Sequence, residues 1–170
     1  MNRSFALGAV QLIVLLACVL SLPAFSQNPP TAESVRSHFA SINQKVLDMA
    51  KDFPEDEYRY RLKPEMRTFG EVIIHIASGN FYAAQAGRGE KVSWTELDPK
   101  NYKTKTAIVL LLKKSIQEAD TTLKNLPDSS FAQTVDPWLD VTEHSAEHYG
   151  LLVAYYRANG LIPPASRPKK

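Results

Sequence analysis

Apolar residues recur along this chain at the three- and four-residue steps of an α-helix, in four separate windows. Val35, Phe39, Ile42, Val46, Met49 and Phe53 alternate spacings of four and three, which predicts a bundle seam on a helix capped by Thr31. Pro54 and Pro64 interrupt the pattern within "FPEDEYRYRLKPEMR". "TFGE" (68–71) then reads as a capping box that opens a second helix to about Gln85, with Phe69, Val72, Ile76 and Ala83 facing inward. A polar connector, "GRGEKVSWTELDPKNYK", runs from Gly87 and carries no period. The third helix takes Thr104 to Leu126 on a face of Ile108, Leu111, Leu112, Ile116, Ala119 and Leu123, and Pro127 stops it. After "DSSFAQTV", Asp136 and Pro137 read as a cap and a first-turn proline. The fourth helix then runs to about Asn159, with Gly160 as a left-handed stop and Val141, Ser145, His148, Leu152 and Tyr155 along its seam. No strand pattern and no repeat accompany these windows. The expectation is an all-α four-helix bundle.

The first 26 residues do not belong to that bundle. Arg3 is followed by an apolar run from Phe5 to Leu22, and Ala24-Phe25-Ser26 offers the small-x-small pattern that a signal peptidase cuts. The expected division is a signal peptide over 1–26 and one domain over 27–170, exported to the periplasm or secreted. The run is near the lower limit for a membrane span and no basic stop follows it, so no stable membrane insertion is expected after cleavage. A lipobox at Leu15-Leu16-Ala17-Cys18 is the weaker reading, because apolar residues continue past it. Cys18 is the chain's one cysteine. The processed protein therefore has no disulfide, no thiolate ligand and no cysteine nucleophile.

The chain holds 20 basic and 18 acidic residues, and the leader contributes Arg3 and no acid, so the domain is close to neutral. That balance gives nucleic acid no basic patch to bind, and no nucleic-acid partner is expected. A small-molecule substrate or ligand of unknown identity is the expected partner, and a homodimer stays open.

Candidate chemistry rests with the histidines. His144 and His148 are four apart, so their rings stack on one helix face, with His148 in the seam and His144 beside it. His75 borders the seam of the second helix. Burying imidazoles is costly unless both nitrogens find partners, and a metal ion satisfies one nitrogen on each ring. By helical rise, His75 lies about 10 Å from the start of its helix, and the pair about 12 to 18 Å from the start of theirs. If these two helices run parallel, as an alternating up-and-down bundle requires, the three rings come level, whereas antiparallel helices with flush ends would separate them by roughly another turn or two. Three histidines on one divalent ion leave positions open, the mark of a reactive site where a water or thiol is acidified. Gly79 and Gly150, inside helices, read either as space for an ion and its ligand or as points of close packing.

"RTFGEVIIHIASGNFYAAQ" (67–85), "EHSAEHYG" (143–150) and "LLVAYYRANGLIPPASR" (151–167) resemble the DinB-like superfamily of bacterial four-helix proteins, which includes YfiT-like metal-dependent hydrolases and thiol-dependent transferases. The resemblance implies that His75, His144 and His148 bind one divalent metal, with zinc, nickel or iron(II) all suited to three neutral nitrogens. It leaves the reaction open between hydrolysis, thiol-dependent transfer and non-catalytic binding of a metal or ligand. Members with established chemistry use cytosolic thiols, and the export signal sets this chain apart from them.

Other residues carry weaker expectations. Glu71 serves the capping box or orients His75. Glu143 and Glu147 point away from the pair towards solvent. His38 lines the pocket or supplies a fourth ligand. Asn80, Tyr82, Trp138 and Tyr156 shape a cleft or fill the core. Arg157 binds an anion or complements its helix terminus.

Overall fold

The computed structural model describes residues 30–168, so the expected signal peptide and Cys18 lie outside the described residues. Five helices follow in order: α1 (Ala32–Asp52), α2 (Phe69–Gly87), α3 (Lys105–Asn125), the single-turn α4 (Asp128–Phe131) and α5 (Val135–Ala158). No strand occurs among the described residues. The four long helices form the expected bundle, and their ends follow the local chemistry except at the start of α5, where Asp136 lies inside the first turn and no side chain caps the helix. Thr31 caps α1 in a box with Ser34. At α2, Glu71 N donates to Thr68 Oγ1 at 3.1 Å and Thr68 N to Glu71 Oε2 at 2.7 Å. Gly160 adopts φ +67° and Leu161 N donates back to Tyr156 O, which closes α5 as expected.

The direction of the helices differs from an alternating bundle. Phe69, which opens α2, packs on Tyr155 near the end of α5, while Gly87, which closes α2, meets Trp138 near the start of α5. The two helices are therefore antiparallel. Arg36 on Asp120 and Lys105 on the Phe53 carbonyl make α1 antiparallel to α3. Asn80 on Ser115 and Gly70 on Ile108 make α2 parallel to α3, and Ser145 on Asn43 with Tyr156 on Met49 make α1 parallel to α5. The order is up, down, down, up. Parallel neighbours need a return: α2 is about 28 Å long, and the segment 88–104 that follows it must travel back along the bundle before α3 begins.

That returning segment explains why α2 is buried almost all round, Ile76 through Asn80 without a break. It packs on the outer face of α2, pinned where Leu97 N donates to Ser78 Oγ at 3.1 Å.

The core has two apolar halves. Phe53, Phe69, Tyr155 and Tyr156 dominate one, with Phe53 and Phe69 stacked at 3.8 Å; Phe39, Phe131 and Trp138 dominate the other. Between them lies a polar layer with one residue from each long helix. Asn80 Nδ2 donates to Asn43 Oδ1 at 3.3 Å and Ser115 Oγ at 3.2 Å, and Ser145 Oγ donates to Asn43 Oδ1 at 3.4 Å. All four are fully buried. The α1 seam accordingly uses Asn43, while Ile42 is half-buried. "DSSFAQTV" also departs from a plain connector: its first residues form α4, which drives Phe131 into the core.

Candidate metal centre

Antiparallel packing does not separate the histidines, because α2 and α5 are aligned by their middles rather than by their ends. Gly79 faces His144 and His75 faces His148 across the interface. The expectation of parallel helices is corrected, yet the rings meet. His75, His144 and His148 are each half-buried and offer ring nitrogens that all lie within 4.8 Å of one another. Ring centroids are 4.8 Å apart for His75 with either partner and 4.3 Å apart for the α5 pair.

The orientation of each ring has a physical cause. His148 Nδ1 lies 2.9 Å from the His144 carbonyl, an acceptor only, so Nδ1 carries the proton and Nε2 keeps its lone pair. His75 Nδ1 lies 3.2 Å from Glu96 Oε1. That carboxylate is out of line with the ring N–H, so the contact is electrostatic more than a formed hydrogen bond, but it too favours a proton on Nδ1 and a bare Nε2. His144 Nδ1 is buried without a partner, against the bare backbone of Gly79. His144 Nε2 and His75 Nε2 are 3.1 Å apart.

This arrangement fits a divalent ion. With nitrogen ligands at about 2.05 Å, a 3.1 Å separation subtends roughly 100° at a shared ion, between octahedral and tetrahedral values. Two of the rings, His75 and His144, are also biased towards the neutral form that ligation requires. Burial, then the nearby His148 and His75 rings, pulls the His144 pKa down to about 4. Burial, then Arg67 and His148, also lowers that of His75, and Glu96 opposes the shift. Among the described residues no fourth histidine or carboxylate joins the group.

Glu96 was not among the expected site residues. It comes from the returning segment, where no helical period marks it, and it also pairs with Arg67 at 3.0 Å. Trp94, two residues earlier, lies 5.5 Å from His75 and 5.6 Å from His144 by ring centroids and remains 43% exposed. A pocket of about 200 Å³ opens on His144 and a cleft of about 440 Å³ on His148. A larger cleft of about 540 Å³, beside Tyr58, Arg61 and Tyr102, includes none of the histidines.

The remaining candidates separate cleanly. Glu71 is engaged by the capping box and by Arg61, not by His75. His38 is exposed and joins neither the pocket nor the histidine group. Glu143, Glu147 and Arg157 are exposed. Asn80, Trp138 and Tyr156 are core, and Tyr82 lines the pocket at His144. Gly79 admits the His144 ring, whereas Gly150 faces open space and serves neither packing nor an ion.

No curated protein matches the chain. A family model described as the DinB superfamily matches residues 38–157, a span that includes all three histidines and most of the bundle. The chain belongs to the DinB superfamily.

Proposed function

We propose that this protein binds one divalent metal ion on His75, His144 and His148 and uses it in a hydrolysis or thiol-dependent transfer on a small molecule. The convergence of three ring nitrogens within 4.8 Å, with no fourth ligand among the described residues, is the observation that carries this reading. Zinc, nickel and iron(II) all suit such a donor set. When bound, the ion supplies Lewis acidity at the positions the protein leaves open. The chain's own residues prepare the site: the His144 carbonyl fixes the tautomer of His148, Glu96 favours a proton on His75 Nδ1, and Arg67 holds Glu96 in place. Trp94 packs on one flank of the site, against His75 and His144.

The same reading places the protein outside the cytoplasm after removal of residues 1–26, on the strength of the leader pattern alone. No helix among the described residues is long and apolar enough to cross a membrane.

Equilibrium dialysis with elemental analysis should give about one metal per chain, lost in His148→Ala. Unchanged stoichiometry in that variant overturns the ligand set. The metal-loaded protein should then turn over an ester, amide or thiol-acceptor substrate, and His144→Ala should not. The second reading is a non-catalytic metal- or ligand-binding module. It is favoured by the His75–His144 contact, which a single shared proton can satisfy without an ion. One metal per chain with no turnover in any substrate class would select it.

A further inference from the structure

The pocket of about 200 Å³ beside His144 has a distinctive chemistry. Tyr82, Trp94, Pro137 and Val141 supply its walls, and the Tyr82 and Trp94 rings meet at 57° with centroids 5.7 Å apart. Asp140 lies four residues before His144, on the same face of α5, and lines the pocket with it. No lysine or arginine lines it. Asp140 is exposed and has no basic partner among the described residues, whereas Glu96 nearby is held by Arg67. The cleft on the His148 side differs, since Arg67 is part of its lining.

We propose that the pocket beside His144 binds a small organic cation, an ammonium group with apolar substituents, and presents it to the histidine centre. The proposal rests on the metal-centre reading for what happens next, but the pocket's selectivity is a property of its own walls. Aromatic faces attract a cation through their quadrupoles, and a free carboxylate adds direct attraction. Apolar walls take the alkyl substituents that a bare metal cation lacks. One carboxylate is too few for a hard inorganic cation, which demands six or more oxygens. The positive end of α5 would ordinarily favour an anion. Here Asp136 occupies that first turn and Pro137 contributes no N–H, so the bias is offset.

The test compares choline with 3,3-dimethylbutan-1-ol, its uncharged carbon isostere, by calorimetry on the purified protein, both metal-free and zinc-loaded. Choline should bind roughly tenfold more tightly than the isostere. Asp140→Asn, at an exposed position, should remove most of that preference, and Trp94→Leu should weaken both ligands. Equal affinities, no binding of choline, or an unchanged preference in Asp140→Asn would overturn the proposal. Zinc content of the same samples keeps the two readings apart. One zinc per chain without a preference for choline overturns the pocket alone. A preference for choline without zinc overturns the metal centre and leaves the pocket standing.

Discussion

His75 Nε2 and His144 Nε2 lie 3.1 Å apart on antiparallel helices, although 69 positions separate them in the chain. At that distance two neutral imidazoles either share one proton or turn both lone pairs to a common cation. A proton placed beside Glu96 on Nδ1 leaves His75 Nε2 bare, so that it either accepts from His144 Nε2 or joins it on a common cation. His144 is less constrained, since nothing accepts from its buried Nδ1. The site is thus oriented by its neighbours on two rings of three.

Removing Glu96 should loosen the centre without unfolding the protein. Glu96→Ala should weaken metal binding about 10- to 100-fold, the usual effect of losing the acceptor behind a ligating histidine. Glu96→Gln, which still accepts at the same place, should recover much of the loss. Chelator competition gives the affinity, and the visible spectrum of the cobalt(II) form reports ligand geometry directly. Matching affinities and spectra in all three proteins would show that Glu96 serves only Arg67.

Three helix glycines should respond differently to alanine. At Gly87 a Cβ would stand 2.2 Å from the Trp138 ring, so Gly87→Ala forces the helix or the indole to move and should cost about 1–3 kcal/mol. At Gly79 it would stand 3.0 Å from His144 Nδ1 and 3.2 Å from Trp94, so metal affinity should fall more than stability does. At Gly150 it meets nothing within 4 Å, and Gly150→Ala should stabilise by up to about 1 kcal/mol through helix propensity. Thermal unfolding and chelator competition separate the three. A Gly150→Ala loss as large as that of Gly87→Ala would refute this account of packing.

The helices and histidines were legible in the sequence because amphipathic period, capping boxes and i,i+4 spacing are local signals. Chain direction was not, since a period fixes which face is buried and says nothing of whether neighbours run parallel. The long connector after α2 was the available clue, as its length suits a return along the bundle better than a turn. Glu96 and Trp94 sit in that connector, where residue type alone marks no site. Asn43 and Ser115 were hidden for a different reason: each is a lone polar residue within an apolar face, and only the neighbouring helices show that they bond to one another.

Processing of the leader should be visible in the intact mass. Material exported from a bacterial host should begin near Gln27, because the small-x-small pattern ends at Ser26 and no membrane stop follows it. Retention of residues 1–26, or a lipid on Cys18, would overturn the expected localisation.

Acid should destabilise the metal-free protein through the same rings that make the site. Burial first, and then the neighbouring imidazoles, holds the His144 pKa near 4 in the folded state, against an ordinary value near 6.5 when unfolded. His75 shifts in the same direction, chiefly through burial. Between about pH 6.5 and 4 the unfolded chain therefore binds more protons than the folded one, so stability falls as pH drops through that window. Above pH 7 both states are neutral at these rings and the contribution is flat. Melting temperatures of metal-free wild type and His144→Gln, taken at pH 7 and pH 4.5, isolate the effect. Wild type should lose more between the two conditions than the variant, whose amide side chain does not titrate. Equal losses would mean that His144 takes up its proton as readily in the folded state as in the unfolded one, and the buried, neutral ring described here would be wrong.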